Sequence, residues 1–296
     1  MTDAPPKHAA KHPSVEEVAQ MAAFLLREDL SPAMGAGDIT STAVIPADAL
    51  LSATMRARED MVLAGGTMAI FIFGALDPTL AVSDLPADGT FVKAGGTLMN
   101  ISGNARSILS GERTALNLMQ HLSGIATLTK KYVDAIEGTG AVLLDTRKTT
   151  PGMRRLEKYA TAVGGATNHR MGLYDAIMIK DNHLAVAGDL KTAVTAARKA
   201  GHESIEVECD TLDQVKDALA LGVSRILLDN MHVQQLRNAV ALRDETRPEC
   251  ELEASGGVTL ESIHEIAKTG VDFISVGRIT QSAPAVDIGL DYSAQH

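Results

Sequence analysis

IEVECDTLDQVKDALALGVSRILLDN, residues 205–230, holds two short apolar runs with an amphipathic stretch between them. Residues 205–208 and 225–228 have the length and β-branched content of strands, and both end on acids, Glu208 and Asp229. Residues 212–221 carry a helical period, and Gly222 follows, where a left-handed cap needs a residue without a Cβ. Working outward, the same theme repeats. Strand-like runs lie at 141–145, 176–179, 251–254 and 273–276, with helical stretches at 190–200, 233–243 and 260–269, two of them also followed by glycine. Strand-helix alternation at this spacing predicts parallel strands joined by right-handed crossovers. Six strands fall short of the eight of a complete TIM barrel, so the expected fold class is α/β, an open or irregular α/β barrel.

The first part of the chain has a different grammar. Residues 52–58 alternate Ser52, Thr54, Arg56 and Arg58 with Ala53, Met55 and Ala57, the period of a half-exposed strand. Further short β-runs at 80–82, 91–93 and 98–101 are separated by Asp88-Gly89 and Gly95-Gly96 turns. This predicts a smaller α+β domain over 15–115, after a flexible tail at 1–14. A long helical pattern at 111–137 leads into a barrel at 116–280, and residues 281–296 are expected to return to the first domain.

Of 296 residues, 45% are hydrophobic and 22% charged, which is a packed globular composition. A net charge of -10, 3% aromatic residues and no Trp argue against nucleic-acid binding. Residues 61–76 are uncharged but too short to span a membrane, and read as strand, turn and helix. Cys209 and Cys250 have neither disulfide-framework nor zinc spacing, and the start of the chain lacks an apolar signal core; the expected location is cytoplasmic.

Ligands of parallel α/β folds bind at the carboxyl ends of the strands, so those ends are the places to look for chemistry. Residues 147–183 hold seven Lys or Arg (Arg147, Lys148, Arg154, Arg155, Lys158, Arg170, Lys180) against three acids (Glu157, Asp175, Asp181). A solvated helix face accounts for Arg154, Arg155 and Lys158. Arg147, Lys148 and Lys180 follow strands directly, where only a bound anion offsets their mutual repulsion; His169 and Arg170 precede the second strand and join them. The mixture of planar Arg forks and compact Lys charges suits a ligand with carboxylate and phosphate groups. Ser255-Gly256-Gly257 and Gly277 can offer backbone N–H groups to phosphate. Glu208 and Asp229 suit Mg²⁺ or sugar hydroxyls, or a simple pairing with Lys180. His121, His202, His232 and His264 receive no role.

These residues resemble the quinolinate phosphoribosyltransferase family. The resemblance rests on Gly37-Asp38-Ile39-Thr40, on 111–117 and 120–127, on Asp145-Thr146-Arg147-Lys148-Thr149, Asn168-His169-Arg170 and 179–183, and on Glu206-Val207-Glu208, Leu228-Asp229-Asn230 and 254–258. Their order and nearly full coverage make the set specific although each motif alone is weak. It implies an N-terminal α/β sandwich before the barrel, and a homodimer or higher oligomer of dimers with shared active sites. It further implies that Arg113, from the partner, joins Arg147, His169, Arg170 and Lys180 around the two carboxylates of quinolinate. Lys148, Glu208, Asp229, Ser255, Gly256 and Gly277 would serve phosphoribosyl pyrophosphate and its Mg²⁺, with Lys148, Lys180, Glu208 and Asp229 as the catalytic set. Gln281 stands near a position where the family often has His. Competing readings are a relative acting on another acid such as nicotinate, an aldolase-like lyase using Lys180 as a Schiff base, and a non-catalytic anion-binding protein.

Overall fold

A computed structural model describes residues 14–30 and 37–294, so the expected tail at 1–14 lies, except for Ser14, outside the described residues. In chain order the elements begin with α1 (Val15–Leu30), α2 (Ile39–Val44), β1 (Leu50–Ala57), β2 (Met61–Val62), α3 (Gly66–Leu76), β3 (Ala81–Ser83), β4 (Phe91–Val92), β5 (Thr97–Asn104) and α4 (Ala105–Ala135). They continue with β6 (Val142–Leu144), α5 (Arg154–Val163), β7 (Ile177–Ile179), α6 (Asp181–Ala187), α7 (Leu190–Lys199), β8 (Ile205–Cys209), α8 (Leu212–Leu221) and β9 (Arg225–Asp229). The last are α9 (Val233–Thr246), β10 (Glu251–Ser255), α10 (Leu260–Ala267), β11 (Phe273–Ser275), α11 (Arg278–Gln281) and β12 (Ile288–Ala294).

One compact unit contains the described residues up to 130 together with 155–165 and 283–294. Its sheet has the order β12-β1-β5-β3, antiparallel throughout. The alternation read in 52–58 is the pleat of β1, which buries Leu51, Ala53, Met55 and Ala57. The C-terminal segment contributes β12, paired with β1 from Leu51↔Ala294 to Ala57↔Ile288. Asp88 accepts the N–H groups of Gly65 (2.8 Å) and Gly66 (3.1 Å) at the start of α3, and also accepts the Tyr159 hydroxyl at 2.5 Å.

The other described unit, 131–154 and 166–282, carries the six expected strands in one parallel sheet of order β6-β11-β10-β9-β8-β7. β6 and β7 are its two ends, as an open barrel requires. A single parallel bridge, Leu144↔Thr167, adds residues before β7 to the β6 edge, with Thr167 N–H donating to the Leu143 carbonyl at 2.9 Å. At the opposite end of the strands, buried Arg243 ties α9 to the loops entering β10 and β11. It donates to the carbonyls of Cys250 (3.1 Å) and Gly270 (3.3 Å) and to Asp272 (2.8 Å).

The compact units divide the chain at other points than the expected domains, and one expectation, for the charged residues of α5, is corrected. The compact units divide at 130/131, inside the unbroken 31-residue α4, where the expected domains divide at 115/116. Residues 155–165, assigned to the barrel from the sequence, belong with the first unit, where the wholly buried Glu157 meets His121 at 2.9 Å. Lys158 is fully buried, not on a solvated face, and Arg154 is half-buried and bonded to Thr149 and the Met171 carbonyl. The burial of α5 hides what its charged sequence suggests. Only Arg155, exposed and paired with Glu17, fits the solvated reading.

Candidate active site

Period-two alternation puts Met178, Glu206, Glu208, Arg225, Leu227, Asp229, Glu253, Ser255 and Ser275 on one face of the parallel sheet. A cavity of about 600 Å³ opens on that face at the carboxyl ends of the strands, within the range of small-molecule sites. Every sequence-predicted site residue except Arg113 lines it. β6 delivers Arg147 and Lys148; the segment before β7 delivers His169 and Arg170; β7 delivers Lys180. β8 and β9 supply Glu208 and Asp229, and the ends of β10 and β11 supply Ser255, Gly256 and Gly277, with Gln281 at the rim. Arg113 stands exposed on α4 in the first unit.

The cationic wall is built from the edge bridge. Buried Asp145, at the end of β6, accepts Asn168 Nδ2 at 2.5 Å and the His169 N–H at 2.9 Å, which fixes the 168–170 turn beside Arg147. Arg170 is buried and donates to the Ala176 carbonyl at 3.1 Å; burial, then the neighbouring Arg147 charge, lowers its pKa. Two guanidiniums close enough for one charge to weigh on the other have the chemistry to share a dianion. Arg147 keeps its buried Nε without a hydrogen-bond partner among the described residues.

The opposite wall is acidic. Glu208 forms an ion pair with Lys180 Nζ, one of the alternatives open in the sequence. Asp229 is hydrogen-bonded by Asn230 Nδ2 at 2.6 Å, and its pKa is raised by burial and then by the charges of Glu208 and Asp210. A carboxylate that acidic neighbours push up in this way suits a hard cation, the donor set expected for Mg²⁺. Gly256 adopts φ +93°, and a Cβ there would lie 2.2 Å from Asn230 Oδ1, so only glycine permits this turn. At Gly277 a Cβ would come within 2.7 Å of the Lys148 side chain. Thr280 Oγ1 donates to the Lys148 carbonyl at 2.7 Å, tying the residues after β11 to the Lys148 loop.

The floor is formed by acids to which the sequence assigns no role. Glu253, fully buried, and Glu206 face His169 Nε2 at 3.4 and 3.5 Å, and Arg225 reaches Glu253 at 3.4 Å while covering the Phe273 ring at 4.1 Å. The signal was present in the alternation: Glu206 shares a face with Glu208, and Glu253 with Ser255.

Comparison with known proteins agrees with this geometry. Residues 38–123 match the profile described as quinolinate phosphoribosyl transferase, N-terminal domain, and residues 125–291 match that of the C-terminal domain. The chain is 44% identical over 272 residues to the nicotinate-nucleotide pyrophosphorylase [carboxylating] of Mycobacterium leprae, covering 90% of this chain and 94% of that one. A probable nicotinate-nucleotide pyrophosphorylase [carboxylating] of Bacillus subtilis is 41% identical over 260 residues, 87% and 89% of the two chains. The solved nicotinate-nucleotide pyrophosphorylase of Francisella tularensis superposes with a TM-score of 0.88 at 40% identity, covering 96% of this chain and 99% of that one. With both domain profiles matched in order and the strand-end residues gathered in one cavity, the chain belongs to the quinolinate phosphoribosyltransferase family.

Proposed function

We propose that this cavity joins quinolinate to phosphoribosyl pyrophosphate with loss of CO₂, giving nicotinate mononucleotide and pyrophosphate, a step of NAD biosynthesis. The observation that carries the reading is the split lining, cations on the β6 and β7 side and carboxylates on β8 and β9, around one 600 Å³ space. Arg147, His169, Arg170 and Lys180 hold the two ring carboxylates, and Arg113 of a second subunit completes that set. Ser255, Gly256 and Gly277 receive the 5-phosphate end, where close backbone is accessible.

Glu208 and Asp229 stabilise the positive charge that develops at the ribose C1 as pyrophosphate leaves, and Lys148 offsets the charge on the leaving group. The same two carboxylates would hold Mg²⁺, which supplies charge neutralisation for pyrophosphate. Orientation of the pyridine nitrogen toward C1 is the work of the arginine pair. The pyridinium so formed is an electron sink for loss of the adjacent carboxylate, and no covalent nucleophile is needed. Lys180 is engaged with Glu208, which gives a Schiff-base lyase no support. A homodimer or a higher oligomer of dimers follows from the role given to Arg113. No described helix is both long and apolar enough to cross a membrane, and two buried, unbridged thiols, Cys209 and Cys250, favour a cytoplasmic setting.

The test is an assay with quinolinate, phosphoribosyl pyrophosphate and Mg²⁺, with nicotinate in parallel and a borohydride arm. Nicotinate mononucleotide and CO₂ from quinolinate, without a trapped Lys180 adduct, support the reading. Turnover of nicotinate in preference, or a borohydride adduct, contradicts it.

A further inference from the structure

We propose that Glu253, on β10, is a positioning residue for quinolinate: with Glu206 it clamps His169 from below so that the ring serves as a charged donor toward the cavity. The inference rests on the reading of the cavity as the quinolinate site and goes beyond it, because neither Glu253 nor Glu206 belongs to the set of ligand-binding residues.

The geometry assigns the two faces of the ring different work. Nε2 lies 3.4 Å from Glu253 Oε2 and 3.5 Å from Glu206 Oε2, so that edge of the ring faces two buried carboxylates at ion-pair distance. Nδ1 lies against the next residue and accepts the Arg170 N–H at 2.7 Å. In the singly protonated ring Nδ1 accepts that N–H; the second proton of the imidazolium sits on Nδ1, releases the Arg170 N–H and makes Nδ1–H a donor for a ligand carboxylate drawn in by Arg147 and Arg170. The groups facing the ring come from every neighbouring element: Glu206 of β8, Glu253 of β10, Asp145 beyond β6 at the backbone N–H, and Arg170 alongside. Arg225 of β9 stands behind Glu253 at 3.4 Å. Burial works against the imidazolium, but the Glu206 and Glu253 contacts outweigh it and hold the pKa up at about 9. His169 and the Ser275 hydroxyl hold Glu253 down despite its burial, so Glu253 keeps its charge beside the ring.

The experiment compares the unmodified protein with Glu253→Gln, which keeps the volume and removes the charge. Two readouts are used: steady-state kinetics for each substrate, and the ¹⁵N signals of His169 followed through a pH titration. Expected for the variant are a KM for quinolinate raised at least tenfold, a KM for phosphoribosyl pyrophosphate within twofold, and a ligand-free His169 pKa lowered by at least one unit. Equal changes in both KM values, or an unchanged His169 pKa, overturn the clamp. If the variant does not fold, the unmodified protein saturated with quinolinate decides: a doubly protonated His169 ring at pH 7.5 supports the clamp, and a neutral ring overturns it. Failure of the unmodified protein to bind quinolinate would instead sink the functional reading, while the ligand-free titration still reads the clamp.

Discussion

Arg147 and Arg170 oppose one another from two segments that are far apart in sequence and meet through one backbone bridge at Thr167. Like charges that the fold holds together are relieved by a dianion that bridges them, so the proposed quinolinate site would turn this repulsion into affinity. Gly256 shows the same economy in the backbone. Its φ of +93° and the 2.2 Å approach of a notional Cβ to Asn230 Oδ1 leave no room for a side chain, and Asn230 N–H is tethered to the Ser255 carbonyl at 2.9 Å. Gly256→Ala is expected to cost on the order of 2 kcal/mol from the left-handed backbone and the clash. It should raise the KM for phosphoribosyl pyrophosphate more than that for quinolinate. Thermal melts and steady-state kinetics check both, and an unchanged Tm would contradict the account of this turn. Residues at strand ends were legible from the sequence because polarity interrupts an apolar run there. Glu206 and Glu253 were harder to read, because a buried acid inside a strand looks like a solvent-facing one until its partners, His169 and Arg225, are known to lie opposite.

The six barrel strands and four of the helices follow from periodicity and glycine stops, within three residues of the observed ends. Elements whose burial is set from outside were not legible. α5 reads as a charged surface helix, yet Glu157 and Lys158 are fully buried. α4 begins at Ala105, six residues before the expected start, because the apolar period becomes distinct only after Gly111. α1 and β12 carry too short or too mixed a pattern to stand out alone; β12 is ordered by its partner β1. In α/β barrels the carboxyl ends of the strands carry chemistry and the opposite ends carry stability, and Arg243 tests that division here. Its hydrogen bonds to Cys250, Gly270 and Asp272 join α9 to two strand entries. Arg243→Ala is expected to lower stability by about 3 kcal/mol, since it leaves buried carbonyls without a donor, while both KM values stay within twofold. Chemical denaturation and kinetics provide the check; a changed KM with unchanged stability would invert the assignment.

At the level of the whole molecule, the His169 floor links folding to pH. A histidine whose folded pKa is raised, here to about 9, contributes stability that is fully present below its unfolded value of about 6.5 and is lost as pH rises through 9. The unfolding free energy should therefore fall by up to roughly 3 kcal/mol between pH 6.5 and pH 9.5, and His169→Gln should flatten that slope. A flat profile in the unmodified protein would mean the ring is not charged. Arg113, exposed on α4, is the residue through which the proposed sharing of sites is tested. Arg113→Ala mixed with an inactive Lys148→Ala protein should recover part of the activity if sites are shared, as read from mixed-subunit assays; no recovery in mixed dimers would contradict sharing.

The central claim is that one cavity has two chemically distinct halves. The direct measurement is calorimetric binding of quinolinate, and of phosphoribosyl pyrophosphate with Mg²⁺, to Arg147→Ala and Asp229→Asn. The account expects a crossed pattern: Arg147→Ala weakens quinolinate about tenfold or more through the loss of charge-assisted hydrogen bonds and leaves phosphoribosyl pyrophosphate nearly unchanged, and Asp229→Asn does the reverse. Parallel losses of both ligands in each variant would contradict it.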